Sequence, residues 1–133
     1  MKVSGSLKVA LGQITIPSTA ITSDVVSVLE GGSLTLRFEF DRDGVIYRGG
    51  IRFLRVSAHR WRAESHCTAW HIEDAYDTIV EVEGSAWPTE LVAAQPAHHR
   101  GRWDVRHLMV FLDSAGCFEA AASSWELLPD ERV

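Results

Sequence analysis

Hydrophobic and polar residues alternate most regularly over residues 34–40, LTLRFEF, where every second position is apolar. A period of two places all the apolar side chains on one face of a β-strand, so this stretch predicts a half-buried strand. The Asp43-Gly44 pair that follows is a hairpin signal, and a second strand is expected directly after it. Within that second strand, the Gly49-Gly50 pair predicts a bulge or a bend.

The same alternation predicts further strands on both sides of this hairpin. Residues 3–11 and residues 76–83 each keep most of their apolar side chains on one parity. Residues 108–112 are apolar throughout, which is typical of a central strand that is covered on both faces. Residues 23–32 are compatible with a two-turn helix as well as with a strand, and the sequence leaves both open.

Two of the remaining segments have patterns that are compatible with helices. Residues 87–94 predict a short helix with Pro88 in its first turn. The tail, residues 117–128, has two interpretations. It forms a hairpin with the preceding apolar run if residues 113–116 turn, or it forms a helix with an apolar stripe that ends at Pro129. Alanine favours the helix, but the D-S-A-G turn signal favours the hairpin, which we expect.

Composition adds the class of protein to this pattern. The chain has 133 residues, of which 46% are hydrophobic and 23% charged, as in an ordinary globular domain. We therefore predict a mainly β protein. It is expected to be a single antiparallel β domain over residues 1–133, a barrel or a sandwich, with one or two short helices. The start of the chain lacks the apolar block of a signal peptide, and no apolar run is long enough for a membrane span. These features predict a cytoplasmic protein in which Cys67 and Cys117 are free thiols.

The charges are segregated along the chain. Residues 45–63 contain five arginines and no acid, whereas residues 64–99 contain seven acids and no lysine or arginine. One explanation is that the two segments form neighbouring strands whose charges meet across the sheet. The other is an acidic face that attracts a basic partner.

Residues 64–77, ESHCTAWHIEDAYD, hold the densest set of chemically active side chains. If residues 62–72 form one regular strand, His66 and His71 point to opposite faces and cannot converge on one metal ion. Zinc-type spacing is absent as well, so we predict neither a metal site nor a cofactor. Glu64 and His66 would share a face, which makes them the candidates for acid–base catalysis.

The second half of this stretch combines acids with aromatic side chains. The aromatic residues Trp70 and Tyr76 lie close in sequence to the acidic residues Glu73, Asp74 and Asp77. Aspartate is common in turns, so part of this density has a structural explanation. Aromatic residues beside charges are also typical of binding hot spots, and a basic partner or a cationic ligand would suit them. We predict that these five residues form a binding patch.

A basic loop follows at residues 98–107, HHRGRWDVRH. Basic residues around an aromatic ring can hold a phosphate or a single-stranded nucleic acid. One such loop is a weak signal in a protein of net charge −5, and we do not expect nucleic acid to be a partner.

The sequence contains no phosphate loop, dinucleotide fingerprint or nucleophile elbow. We therefore expect a small non-enzymatic protein that binds a basic protein partner through an acidic and aromatic face, as an immunity protein binds its toxin. The alternative is a small β-barrel that encloses an apolar small molecule, as a carrier or as a cofactor-free enzyme. The wall of that barrel would include Phe38, Trp61, His66 and Trp70. Separately, the protein could dimerise through an exposed strand edge.

Overall fold

A computed structural model describes residues 7–99 and 104–133. In chain order, the elements of these residues are β1 (Leu7–Gln13), β2 (Val26–Glu30), β3 (Ser33–Arg42), β4 (Val45–Leu54), β5 (Ala58–Arg62), α1 (Ala69–Ile72), β6 (Thr78–Glu83), α2 (Ala86–Ala93), β7 (Arg106–Leu112), β8 (Gly116–Ala122) and β9 (Ser124–Arg132). Single turns of 3₁₀ helix lie at Ser18–Ala20, Glu64–His66 and Ala97–His99.

The strands form two sheets. The order is β1-β6-β7-β8-β5 in the five-stranded sheet and β2-β3-β4-β9 in the four-stranded sheet, and the paired strands are antiparallel. The prediction of a mainly β, antiparallel fold with two short helices is confirmed. The sheets do not close into a barrel. They pack face to face, as in a sandwich.

The core between the sheets is built from the inward parity of each strand. Leu36 and Ile51 of the four-stranded sheet and Leu108 and Val110 of the five-stranded sheet are fully buried in one cluster. Each such side chain contributes about 1.5–3 kcal/mol by leaving water. Phe38 lies in the same cluster, so it belongs to the packed core and not to the wall of a cavity.

The five-stranded sheet has a second covered face. Met109 and Phe111 of β7 point away from the inter-sheet core and pack with Ala75, Trp70 and Ile72 of the segment before β6. β7 is therefore buried on both faces, as its unbroken apolar run predicts. The molecule has three layers at this point, and the outer layer contains residues 64–77, the segment with the most chemically active side chains.

The hairpin predicted at Asp43-Gly44 is confirmed. β3 and β4 are joined by Asp43 and Gly44, which have φ values of 54° and 81°, as the two central residues of a type I′ hairpin turn require. β2 and β3 are joined in the same way by Gly31 and Gly32, with φ values of 59° and 79°. Residues 23–32, which the sequence leaves open, thus form a strand and a turn.

The paired glycines of β4 lie beside an irregularity in the neighbouring strand. β4 runs without a break against β3, but its register with β9 shifts between Arg48 and Gly50. Arg48 lies opposite Glu131 and Gly50 lies opposite Leu128, so β9 has the extra residue. Pro129 falls in this bulge of an edge strand, where its missing N–H is tolerated.

The tail forms the expected hairpin. β8 returns beside β7 after the turn at residues 113–115, and the chain then crosses at Ser123 into β9 of the other sheet. Ala120, Ala121 and Ala122 are fully buried. Their small side chains let the layers approach closely, and this packing outweighs the helix propensity of alanine.

Of the two other predicted segments, one is confirmed and one is partly revised. The helix predicted at residues 87–94 is confirmed as α2, and among the described residues no helix combines the length and apolar character that crossing a membrane requires. Strand β1 is confirmed from Leu7, whereas residues 3–6 of that prediction lie outside the described residues. Its predicted apolar face is wrong, because Leu7 and Val9 are exposed on a sheet edge. Leu11, at a register shift, packs into the core instead.

The prediction of one regular strand over residues 62–72 is wrong. β5 ends at Arg62, and the chain continues through the 3₁₀ turn Glu64–His66 into the single helical turn α1. At the start of α1, the backbone N–H of Thr68 donates to Nδ1 of His71 at 3.0 Å. This local bond satisfies a backbone donor that a sheet would otherwise pair, so the alternation of faces does not apply here.

The strands of the arginine-rich segment, β4 and β5, are not neighbours of β6, the strand of the acidic segment. Three arginines form ion pairs with the residue directly opposite on a neighbouring strand, in each case outside residues 64–99. In the acidic segment, Glu81 pairs with Arg106 at 2.8 Å. Charges do meet across strands, but between segments that the sequence does not link. The cross-strand pairs are Arg48–Glu39, Arg52–Glu126 and Arg60–Glu119.

Candidate binding site at the acidic end

Three segments meet at one end of the sandwich, and three hydrogen bonds join them. The backbone N–H of Ser18 donates to Oδ2 of Asp77 at 3.0 Å. The N–H of Asp113 donates to Oγ of Ser18 at 2.8 Å, and the N–H of Ser114 donates to Oε1 of Glu64 at 2.6 Å. We call this region the acidic end; it comprises residues 17–24, 63–77 and 113–115.

The backbone is strained at this end. Asp74, Asp77 and Ser114 have φ values of 64°, 54° and 64°, in the left-handed region that residues other than glycine seldom occupy. Each such residue costs about 1–2 kcal/mol. The hydrogen bonds that join the three segments fix the direction of the Asp77 and Glu64 carboxylates.

Asp77 is a structural member of the predicted patch. Its Oδ2 accepts the bond from Ser18, which is 2% exposed, and its Oδ1 is buried without a partner among the described residues. Because both oxygens face inward, Asp77 orients the loop at residues 17–24 and offers little to a partner.

Trp70 also makes most of its contacts within the molecule. Its ring packs on the outer face of the five-stranded sheet, and the ammonium of Lys8 lies 4.5 Å from the ring centroid. Lys8 donates hydrogen bonds to the carbonyls of Trp70 and Glu73. Burial lowers the pKa of Lys8 below its ordinary value, and the opposing effect of the nearby Asp74 and Glu73 carboxylates is smaller. Lys8 thus anchors the outer layer to β1.

Glu73, Asp74 and Tyr76 are the exposed members of the patch. Tyr76 is 41% exposed, its ring centroid lies 5.8 Å from that of Phe111, and its hydroxyl donates to Oδ1 of Asp113 at 3.2 Å. Desolvation raises the pKa of Tyr76, so the phenol stays neutral and remains a donor. An aromatic ring with a fixed orientation therefore stands among carboxylates on the surface.

Two carboxylates that the sequence analysis did not single out complete the site. Asp24 and Asp113 line a notch of about 190 Å³ together with the polar side chains of Ser18, Ser23 and Ser114. Carboxylates and hydroxyls around a small opening match an ammonium or a guanidinium group. The D-S-A-G turn signal marks Asp113 in the sequence, but only the fold brings Asp24 to it.

The notch continues into a larger groove of about 590 Å³. This groove runs along the open edge of the sandwich between β2 and β5, and Asp24 and Ser114 line both spaces. Trp61 lines the groove and is 58% exposed, while its indole N–H donates to the carbonyl of Ala115 at 2.8 Å. Trp61 is therefore a fixed, accessible aromatic side chain beside the notch. It does not share a cavity with Trp70, which lies in the outer layer.

The catalytic candidates Glu64 and His66 have different surroundings. Glu64 accepts the hydrogen bond from Ser114, and His66 lies exposed at the end of its 3₁₀ turn. Within the described part of the chain, no hydrogen bond joins the two side chains. Over the same residues, no group of three or more histidine, cysteine or acidic side chains is placed to hold a metal ion.

A second polar cluster lies at the opposite end of the outer face, and the sequence analysis missed it. His107 was assigned to the basic loop, of which residues 100–103 lie outside the described residues. It belongs instead to β7, is 3% exposed, and its Nε2 lies 2.6 Å from Oε1 of Glu119. Arg60 makes two further bonds to Glu119, and Nδ1 of His107 lies 2.7 Å from Oγ of Ser85.

The charge state of Glu119 follows from these contacts. Burial alone raises the pKa of its carboxyl group, but the hydrogen bonds from His107 and Arg60 outweigh burial and lower the pKa to about 2. Glu119 is thus a carboxylate at neutral pH, although its side chain is only 4% exposed.

This lowered pKa predicts how stability changes in acid. The folded protein holds the pKa of Glu119 near 2, below its ordinary value of 4.5, so its stabilisation is complete above about pH 4.5 and declines as the pH falls towards 2. Urea unfolding between pH 2 and pH 7 measures the effect. The free-energy difference between wild type and Glu119→Gln is expected to shrink across this window. A difference that does not vary with pH would contradict the assignment.

No family model, no curated protein and no solved structure matches this chain.

Proposed function

We propose that the protein is a small binding module that recognises a basic protein partner through the acidic end. The observation that carries the proposal is the notch lined by Asp24 and Asp113, together with two exposed aromatic residues that are connected to it. Tyr76 is hydrogen-bonded to Asp113, and Trp61 lines the adjoining groove. A lysine or arginine side chain of the partner enters the notch, and its stem packs against these rings.

The physical chemistry of interfaces supports this assignment. Binding hot spots concentrate in rigid aromatic side chains beside groups that make charge-assisted hydrogen bonds. Trp61 and Tyr76 are both held by hydrogen bonds to the chain, so they lose little conformational entropy when a partner binds. The net charge of −5 adds long-range attraction that speeds the encounter with a basic protein.

The protein is thus assigned to the class expected from the sequence, a small binding protein for a basic partner, but the residues assigned to the interface differ. Glu73, Asp74 and Tyr76 form the outer part of the interface, while Asp24 and Asp113 form its centre. Trp70 and Asp77 hold this surface in place from within. Neutralisation of a basic toxin by an immunity protein is one instance of the class.

Charge reversal at the acidic end tests the proposal. A fluorescein-labelled peptide of nine arginines serves as the cationic probe, and fluorescence anisotropy at 0.1 M salt gives its Kd. We expect Asp113→Lys and Asp74→Lys each to weaken binding at least about tenfold, which corresponds to 1.4 kcal/mol. The reason is that each change replaces an attraction at the interface by a repulsion. The same variants should lose the basic proteins that wild type captures from lysate.

The matched control is Glu30→Lys, which changes the net charge by the same amount. Glu30 is exposed at the end of β2 that lies farther from Asp24, roughly 20 Å along the strand. That distance is about twice the screening length at 0.1 M salt, so binding is expected to change less than twofold. If Glu30→Lys weakens binding as much as Asp113→Lys does, the attraction comes from net charge alone and the proposed site is wrong.

A further inference from the structure

The buried cluster around His107 lies apart from the acidic end. The acidic end precedes β6, and Ser85 follows β6, so the two sites are separated by the six residues of that strand, roughly 20 Å. Ser85 stands at the turn from β6 into α2, where Gly84 has a φ of 77°. Strand, turn and helix thus present the hydroxyl of Ser85 at a partly exposed position on the surface of the outer layer.

The hydrogen-bond chain fixes the proton positions. Glu119 is ionised and only accepts, so a neutral His107 carries its proton on Nε2 and donates it to Oε1 of Glu119 over 2.6 Å. Nδ1 of His107 is then an acceptor, and it lies 2.7 Å from Oγ of Ser85. In this neutral form of His107 the Ser85 hydroxyl donates to Nδ1, which is the arrangement of a nucleophile and its general base, with a third group orienting the base.

We propose that Ser85 is a nucleophile activated by His107, with Glu119 as the positioning residue, and that this site transfers acyl groups from small esters to water. The proposal assigns an activity that is independent of partner binding at the acidic end.

The start of α2 supplies a candidate electrophilic group. Ser85 is the N-cap of this eight-residue helix, and the N–H of Trp87 donates to its Oγ at 3.3 Å. The N–H of Ala86 opens the helix, and first-turn amides have no acceptor within a helix. Directly after the nucleophile, such an amide is placed to stabilise the negative oxygen of a tetrahedral intermediate.

The surroundings of His107 keep its ring in place. The Trp87 ring meets it edge-on at 5.0 Å between centroids, and the Arg60 guanidinium lies 4.1 Å from the Trp87 ring centroid. Arg60 also binds both oxygens of Glu119, so the carboxylate cannot rotate away from Nε2. A base held this rigidly needs no reorganisation before it accepts a proton.

The reaction balances without any further reagent. Oγ of Ser85 forms a bond to the carbonyl carbon while its proton moves to Nδ1 of His107, and the bond from carbon to the alkoxy oxygen breaks as that proton passes to the departing alcohol. Water then attacks the acyl-Ser85 ester with His107 as base. The products are one alcohol and one carboxylic acid, which ionises in water, and Ser85 and His107 return to their starting states.

Covalent labelling tests the nucleophile directly. The full chain is incubated with a fluorophosphonate probe, the adduct is located by peptide mass spectrometry, and hydrolysis of p-nitrophenyl acetate gives kcat and KM. We expect the adduct on Ser85. Ser85→Ala and Ser85→Asn should both lose labelling and lower the rate of ester hydrolysis at least about 100-fold. Ser85→Asn retains a good N-cap, so its loss of activity is not a loss of helix α2.

Two further variants separate catalysis from structure. Ser27→Ala removes an exposed serine of β2 and is expected to leave labelling and hydrolysis unchanged. Glu119→Gln can donate to Nε2 and thus favours the tautomer in which Nδ1 carries the proton, so kcat should fall while KM stays the same. The proposal is overturned if wild type reacts no faster than Ser85→Asn, or if Ser85→Asn still carries the label on another residue at the wild-type rate.

Discussion

Replacement of Glu119 by alanine is expected to lower the free energy of unfolding by roughly 3–5 kcal/mol. The side chains of Glu119 and His107 are 4% and 3% exposed, so both groups are almost fully buried. Removing the carboxylate leaves His107 without the acceptor at 2.6 Å and leaves Arg60 of β5 without the partner directly opposite on β8. A buried polar group that loses its partner costs its full desolvation free energy.

The matched control is Glu126→Ala, the same substitution on the other sheet. Glu126 also lies directly opposite an arginine, Arg52, and their side chains form an ion pair at 3.2 Å. Both partners are more than one-third exposed, so this pair contributes only about 0–1 kcal/mol. Urea unfolding of the two variants at pH 7 gives the comparison. Equal losses of stability would show that burial does not govern the strength of these cross-strand pairs.

The elements that the sequence predicts well are those with a local cause. The Asp43-Gly44 turn and the alternation of residues 34–40 involve neighbours in the chain, and both are found as predicted. The apolar run of β7 also predicts its strand correctly, because every position of a strand that is covered on both faces is apolar. The strand conformation of the alanine-rich β8 is less evident from the sequence, because its packing between two layers competes with the helix propensity of alanine.

The failure at residues 62–72 shows the limit of periodicity. The alternation of faces is a property of a strand, and it does not continue beyond Arg62, where β5 ends. The bond from Thr68 to His71 closes a helical turn there, and such a side-chain bond leaves no periodic pattern over so short a segment.

The candidate sites depend on contacts across the chain. Asp24 and Asp113 meet at the notch only because the loop before β2 packs against the β7–β8 turn. Ser85, His107 and Glu119 belong to a helix cap and two neighbouring strands, and no sequence motif spans them. A single sequence therefore supplies the exposed half of the acidic end, Glu73, Asp74 and Tyr76, but not its centre.

Replacement of Gly50 by alanine is expected to destabilise the protein by about 3 kcal/mol or more, because overpacking against backbone cannot relax. A Cβ at Gly50 would lie 2.0 Å from the carbonyl oxygen of Leu36, in a strand that pairs with β4 over its whole length. At Gly49 a Cβ would meet the Asp130 carboxylate at 2.9 Å and the edge of Phe40 at 3.2 Å, and the flexible Asp130 side chain can move. Gly49→Ala is therefore the control, with an expected cost of about 1 kcal/mol. Thermal and urea unfolding of both variants decide the matter. If the two alanines cost the same, the close approach of β3 and β4 at Gly50 is not what requires glycine, and the need lies instead in the β9 bulge that both glycines face.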